Sequence, residues 1–74
     1  MSKKQAKKDM INHLKISKKA IDQCNKSLFY NSLEKYHNTK IMFLAQENVT
    51  SYHKFTKLDN LANDIFIIGS DKFK

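Results

Sequence analysis

The segment MINHLKISKKAIDQCNKSL, residues 10–28, decides the fold class. Its apolar or small positions are Met10, Leu14, Ser17, Ile21, Cys24 and Leu28, at steps of 4, 3, 4, 3 and 4. That spacing is one face of an α-helix, and strict period-two alternation occurs nowhere in the chain. It predicts a first helix over roughly residues 5 to 26, with residues 1–8 a frayed, lysine-rich start.

Downstream, Asn25, Ser27 and Asn31 weaken the helical preference. Asn31-Ser32-Leu33-Glu34 reads as a capping box, in which Asn31 accepts from the Glu34 backbone and Glu34 reaches back. A second helix from about Ser32 to Glu47 follows, with Leu33, Tyr36, His37, Ile41 and Leu44 towards one side. One helix continuous through Phe29 is the alternative, since no residue there forbids it. Asn48 to Ser51 forms the next break, with Thr50 or Ser51 as N-cap. A third helix carries Tyr52, Phe55, Leu58, Ala62, Ile65 and Ile68, and Gly69 stands where a terminating glycine belongs. The chain has no proline and no second glycine to interrupt this pattern. The expectation is all-α: a small three-helix bundle, or a helical hairpin plus a helix, forming one domain over residues 1–74.

Seventy-four residues hold one small core, which buries only about 60% of the surface of the unfolded chain. Ile11 and Ile16 lie off the stripe of the first helix, and Phe66 and Ile67 widen that of the third. A chain this short covers all four with difficulty, so a homodimer seamed by the first or third helix is expected. Cys24 has no second cysteine to pair with and lies on the expected core face, where a thiol is inert. A lone cysteine fits a reducing compartment. The stretch after the lysine-rich start lacks the apolar run of a secretory signal. No window approaches the roughly 18 apolar residues of a membrane span. The cytoplasm is therefore expected, and the acceptor tripeptide Asn48-Val49-Thr50 is idle there. Abundant lysine, asparagine and isoleucine without arginine suggest AT-rich coding in a low-GC bacterium, phage or plasmid.

All fourteen basic residues are lysines, and the formal charge is +7. Residues 1–26 hold eight lysines and two acids, residues 27–74 six lysines and five acids. On the first helix Lys4, Lys8, Lys15, Lys19 and Lys26 fall opposite the apolar stripe, at steps of 4, 7, 4 and 7. Their ridge would be on the order of 33 Å long, enough to track a polyanion. An ordinary solvated face mixes both signs. Its apolar face lacks the large aromatics of an interfacial membrane helix.

The stretch Leu44 to Asn60 resembles a helix-turn-helix of the phage-repressor kind. Ala45 matches the small residue of its first helix, Thr50-Ser51 the opening of the recognition helix, and Phe55 and Leu58 its later apolar positions. The sequence departs at the turn, where Val49 replaces the usual glycine, and just before it, where Asn48 replaces an apolar residue. The resemblance implies that Ser51, Tyr52, His53, Lys54 and Lys57 face the major groove. Without arginine's planar fork, specificity would be modest.

Little else suggests chemistry. His13, His37 and His53 stand too far apart to ligate one metal from one helix. Asp59 and Asp64 are five apart and off one another's face. One glycine makes no phosphate-cradling loop. Tyr30, Tyr36, Phe43, Tyr52 and Phe55 at helical spacing read as core before they read as base-stacking platforms. No enzyme, cofactor or metal site is expected. The leading function is a nucleic-acid-binding accessory or regulatory protein. The alternative is a protein-binding module such as an antitoxin, a bacteriocin-immunity protein or a phage-encoded inhibitor.

Overall fold

Helical periodicity in three stretches gives three helices. A computed structural model describes residues 3–46 and 55–74, and among them no strand forms. Helix α1 spans Lys3–Asp22, α2 spans Lys26–Gln46 and α3 spans Thr56–Lys72. Ring pairs fix the course of the chain: Phe43 meets Phe55 at 5.6 Å, and Phe29 meets Phe73 at 5.5 Å. Thus α3 runs antiparallel to α2 and parallel to α1, an up-down-up three-helix bundle measuring 37 × 18 × 14 Å.

The α1 stripe is buried largely as its periodicity predicts. Met10, Leu14, Ser17 and Ile21 are in the core, joined by Ala6 and Ala20. The small residues allow close backbone approach, and the Ser17 hydroxyl is satisfied by donating to the Leu14 carbonyl at 2.8 Å. Within the lysine-rich start, α1 is already helical from Lys3 and Ala6 is fully buried.

The end of α1 departs from expectation. Cys24 adopts φ 55°, and its N–H donates to the Ile21 carbonyl at 3.1 Å. Asn25 N–H donates to the Ala20 carbonyl at 2.9 Å, which completes a Schellman turn. The same Asn25 then caps α2: its side-chain oxygen accepts from the Leu28 N–H at 3.1 Å. Helix α1 therefore stops at Asp22 rather than near residue 26, and Cys24 is exposed, not in the core. Asn31 is not the cap; it lies exposed within α2.

Helix α2 buries the expected Leu33 and Tyr36, but its stripe is rotated from the expected one. Phe29, Ser32, Leu33, Tyr36 and Phe43 are in the core, whereas His37 and Ile41 are exposed and Leu44 is half-buried. Ser32 sits in the interior because its hydroxyl donates to the Leu28 and Phe29 carbonyls at 2.8 and 3.0 Å. On α3 the buried positions are Leu58, Ala62, Ile65 and Gly69, following Phe55. Ile68, expected inside, is exposed. Gly69 does not end the helix, which continues to Lys72. It lies beneath the Phe29 ring, where a Cβ would overlap three ring atoms. Each large side chain buried here contributes about 1.5–3 kcal/mol.

One polar cluster ties α2 to α3. The Tyr36 hydroxyl donates to Asp59 Oδ1 at 2.7 Å, and Lys40 Nζ donates to the same oxygen at 2.8 Å. Burial pushes the Tyr36 hydroxyl well above its ordinary range, and the Asp59 carboxylate adds to that shift. Burial alone would raise the Asp59 carboxyl too. The hydrogen bonds from Lys40 and Tyr36, with the charges of Lys40 and His37, outweigh it and hold the group below its usual value.

Candidate nucleic-acid interface

A helix packed on one stripe offers its other face to solvent, and on α1 that face is lysine. Lys4, Lys8, Lys15 and Lys19 are exposed in line, and Lys7 and Lys18 are exposed beside them. Between them runs a shallow depression of about 590 Å³, lined by Lys4, Lys7, Lys8, Asp9, Ile11, Asn12 and Lys15. Asp9, the one acid lining it, accepts a hydrogen bond from Gln5 Nε2 at 3.0 Å. Among the described residues the ion pair that forms is Lys40–Asp59, on the other two helices. Among the described residues Lys4, Lys7, Lys8, Lys15, Lys18 and Lys19 have no carboxylate partner.

At the N-terminal end of the ridge the placement opposes what helix stability favours, whereas Lys19, in the last turn, suits the dipole. The first turn of α1 contains Lys3 and Lys4 and no acid. Cations there meet the positive end of the helix dipole, which disfavours each by about 0.3–1 kcal/mol when exposed. Lys4 and Lys8 also form a like-charge i,i+4 pair, as do Lys15 and Lys19. Helix α1 as a whole holds seven lysines and two aspartates.

The ridge is shorter than its sequence suggests. Lys26 opens α2, beyond the reversal at Cys24, so it does not extend the line. From Lys4 to Lys19 the rise is about 22 Å, and exposed Asp22 closes the far end. The flanking Lys7 and Lys18, about 70–90° from the ridge axis on a helical projection, escaped the sequence reading.

The helix-turn-helix resemblance fares differently. Ser51, Tyr52, His53 and Lys54 lie outside the described residues. Ala45, which the motif buries against its second helix, is exposed. Phe55 takes φ −123°, ψ 26° at the N-cap, and α3 starts at Thr56, so Phe55 precedes the helix that carries Leu58. Lys57 is exposed in the first turn of α3.

For other chemistry the geometry offers little. Among the described residues no three of His, Cys, Asp or Glu gather to hold a metal ion. Tyr36, Phe43 and Phe55 are core side chains unavailable for stacking, while Tyr30 is partly exposed. No helix among the described residues is long and apolar enough to cross a membrane. No family model matches the chain, and no curated protein or solved structure matches it either.

Proposed function

We propose that this chain is a small non-enzymatic nucleic-acid-binding accessory protein, with the exposed face of α1 lying on phosphates. The observation that carries this reading is the exposed lysine face of α1, which lacks carboxylate partners among the described residues, sets like charges at i,i+4 and places cations at the positive end of the helix dipole. A face serving only solubility would gain stability from acids in the first turn. A polyanion supplies the missing counter-charge. Lysine is a compact point charge without arginine's bidentate fork, so the contact is to the backbone and largely independent of sequence.

The test is fluorescence anisotropy with a labelled duplex across a salt series. Log affinity should fall with log salt at about 0.9 per neutralised phosphate. Replacing Lys4, Lys8, Lys15 and Lys19 with glutamine should flatten that slope by up to about 3.6. An unchanged slope would make the ridge an ordinary solvated face.

A protein-binding module is the second reading. It is favoured by Ile41, Phe66, Ile67 and Ile68, large apolar side chains that stand exposed on α2 and α3. Binding through those residues would respond weakly to salt. The homodimer expected from the sequence draws on the same surface.

A further inference from the structure

We infer that the groove between α2 and α3 seats a second copy of this chain, and that the resulting dimer turns its two lysine ridges outward and so bridges two nucleic-acid segments. The bridging half rests on the function proposed above; the interface half does not.

The groove, about 320 Å³, has Leu33, His37 and Lys40 of α2 on one wall and Asp59, Ala62 and Phe66 of α3 on the other. Phe66 also lines an adjoining depression of about 500 Å³ with Ile67 and Ile68, so the apolar surface is continuous. Ile41, one helical turn beyond His37, is 62% exposed, Phe66 48% and Ile67 57%. The charged side chains in the groove neutralise one another, because Lys40 and Asp59 are already paired. Closing a second surface over them strands no lone charge.

Charge distribution selects the occupant. Helix α1 carries +5, α2 carries +2 and α3 carries −1. Two chains of +7 repel across α1 but meet nearly neutral surfaces across α2 and α3. A strongly acidic partner would instead be drawn to α1. A surface that is apolar, nearly neutral and remote from the ridge suits a second copy of itself, related by a two-fold axis. A side of the bundle 37 Å long and 14–18 Å wide offers a footprint on the order of 500–700 Å², near the low end of the roughly 600–1,000 Å² per partner of a standard interface.

No described residue of α1 lines the groove, so the lysine face lies on the far side of each protomer. With protomers 14–18 Å thick, the two ridges stand about 30 Å apart and face away from one another. Because the ridges point in opposite directions, one straight duplex cannot lie on both, so one ridge takes one duplex and the other takes a second.

The experiment uses the full chain and its Ile41→Asp/Phe66→Asp variant, with Ile41→Asp alone as the milder change. Sedimentation at tens of micromolar should give twice the 8.7 kDa chain mass for the wild type and the chain mass for the double variant, with unchanged far-ultraviolet circular dichroism. Bead-tethered duplex loaded with wild type should capture a second, labelled duplex. The double variant should still bind the tethered duplex but capture less than a tenth as much. A wild type monomeric at hundreds of micromolar overturns the inference, as does a dimer, or duplex capture, that survives in the double variant. A dimer broken by the variant, with no duplex affinity at low salt, supports the interface and overturns the nucleic-acid reading together with the bridging.

Discussion

Replacing Gly69 with alanine should destabilise this protein, although the same change in an ordinary helix interior stabilises by about 1 kcal/mol. The reason is the Phe29 ring. A Cβ on residue 69 would overlap Cζ, Cε1 and Cε2 of that ring. The ring has little room to retreat, being fully buried with Tyr30 at 4.9 Å and Phe73 at 5.5 Å. Forcing an extra methyl into a filled core costs about 1–3 kcal/mol, and three overlapping atoms place this case at the upper end. After subtracting the helix-propensity gain, a net loss of about 1–2 kcal/mol remains. For a domain of this size that lowers the melting temperature by roughly 4–16 °C. Urea titration followed at 222 nm should show an earlier midpoint with the slope retained. Leucine at position 29 lacks the distal ring atoms that meet the new methyl. Introduced into a Phe29→Leu background, Gly69→Ala should therefore become neutral or stabilising, a coupling of about 1–3 kcal/mol. A Gly69→Ala single variant more stable than wild type would refute the close approach of α3 to Phe29.

Cys24→Gly should stabilise by about 1 kcal/mol, since an L-residue at φ 55° bears a penalty glycine avoids; a lower urea midpoint would contradict the turn geometry. Lys4→Glu should raise the melting temperature in low salt while weakening duplex binding, because it reverses the sign at the positive end of the α1 dipole; thermal denaturation and anisotropy read the two effects separately. The Asp59 carboxyl is held below its unfolded value, so its stabilisation is complete above about pH 4 and lost as pH falls through the lower folded value. Asp59→Asn should accordingly flatten the acid limb of stability below about pH 4. Tyr36 is shifted upward, so its contribution is complete below about pH 10 and lost above it; Tyr36→Phe should reduce the alkaline loss in the same denaturation series.

How far these features can be read from sequence depends on whether one stripe or several compete. On α1 the face is single, and Met10, Leu14, Ser17 and Ile21 announce it. The lysines opposite follow by geometry as far as Lys19. Helix α2 has apolar residues around much of its circumference, so periodicity alone does not choose between the Phe29–Tyr36–Phe43 face and the His37–Ile41–Leu44 face. Packing against α1 and α3 makes that choice. Asn25 and Asn31 are both competent caps, and only the reversal at Cys24 decides for Asn25. That reversal also takes Lys26 off the ridge. Gly69 reads as a terminator because a glycine's local freedom is visible in sequence, while its use as a landing place for Phe29 is a tertiary fact.

The turn at Gln23–Asn25 has an arithmetical consequence for the whole surface. Asn25 completes the end of one helix and begins the next, so the connection has no slack residue. Each residue added or removed there would rotate α2 by about 100° about its own axis. Removing one would bring Tyr30, His37, Ile41 and Leu44 into the slots now held by Phe29, Tyr36, Lys40 and Phe43. The core would exchange one apolar stripe for the other, and the aromatic stripe would turn towards solvent. The length of a three-residue reversal is thus a phase setting: it determines which side of α2 is interior and which is left to meet another molecule.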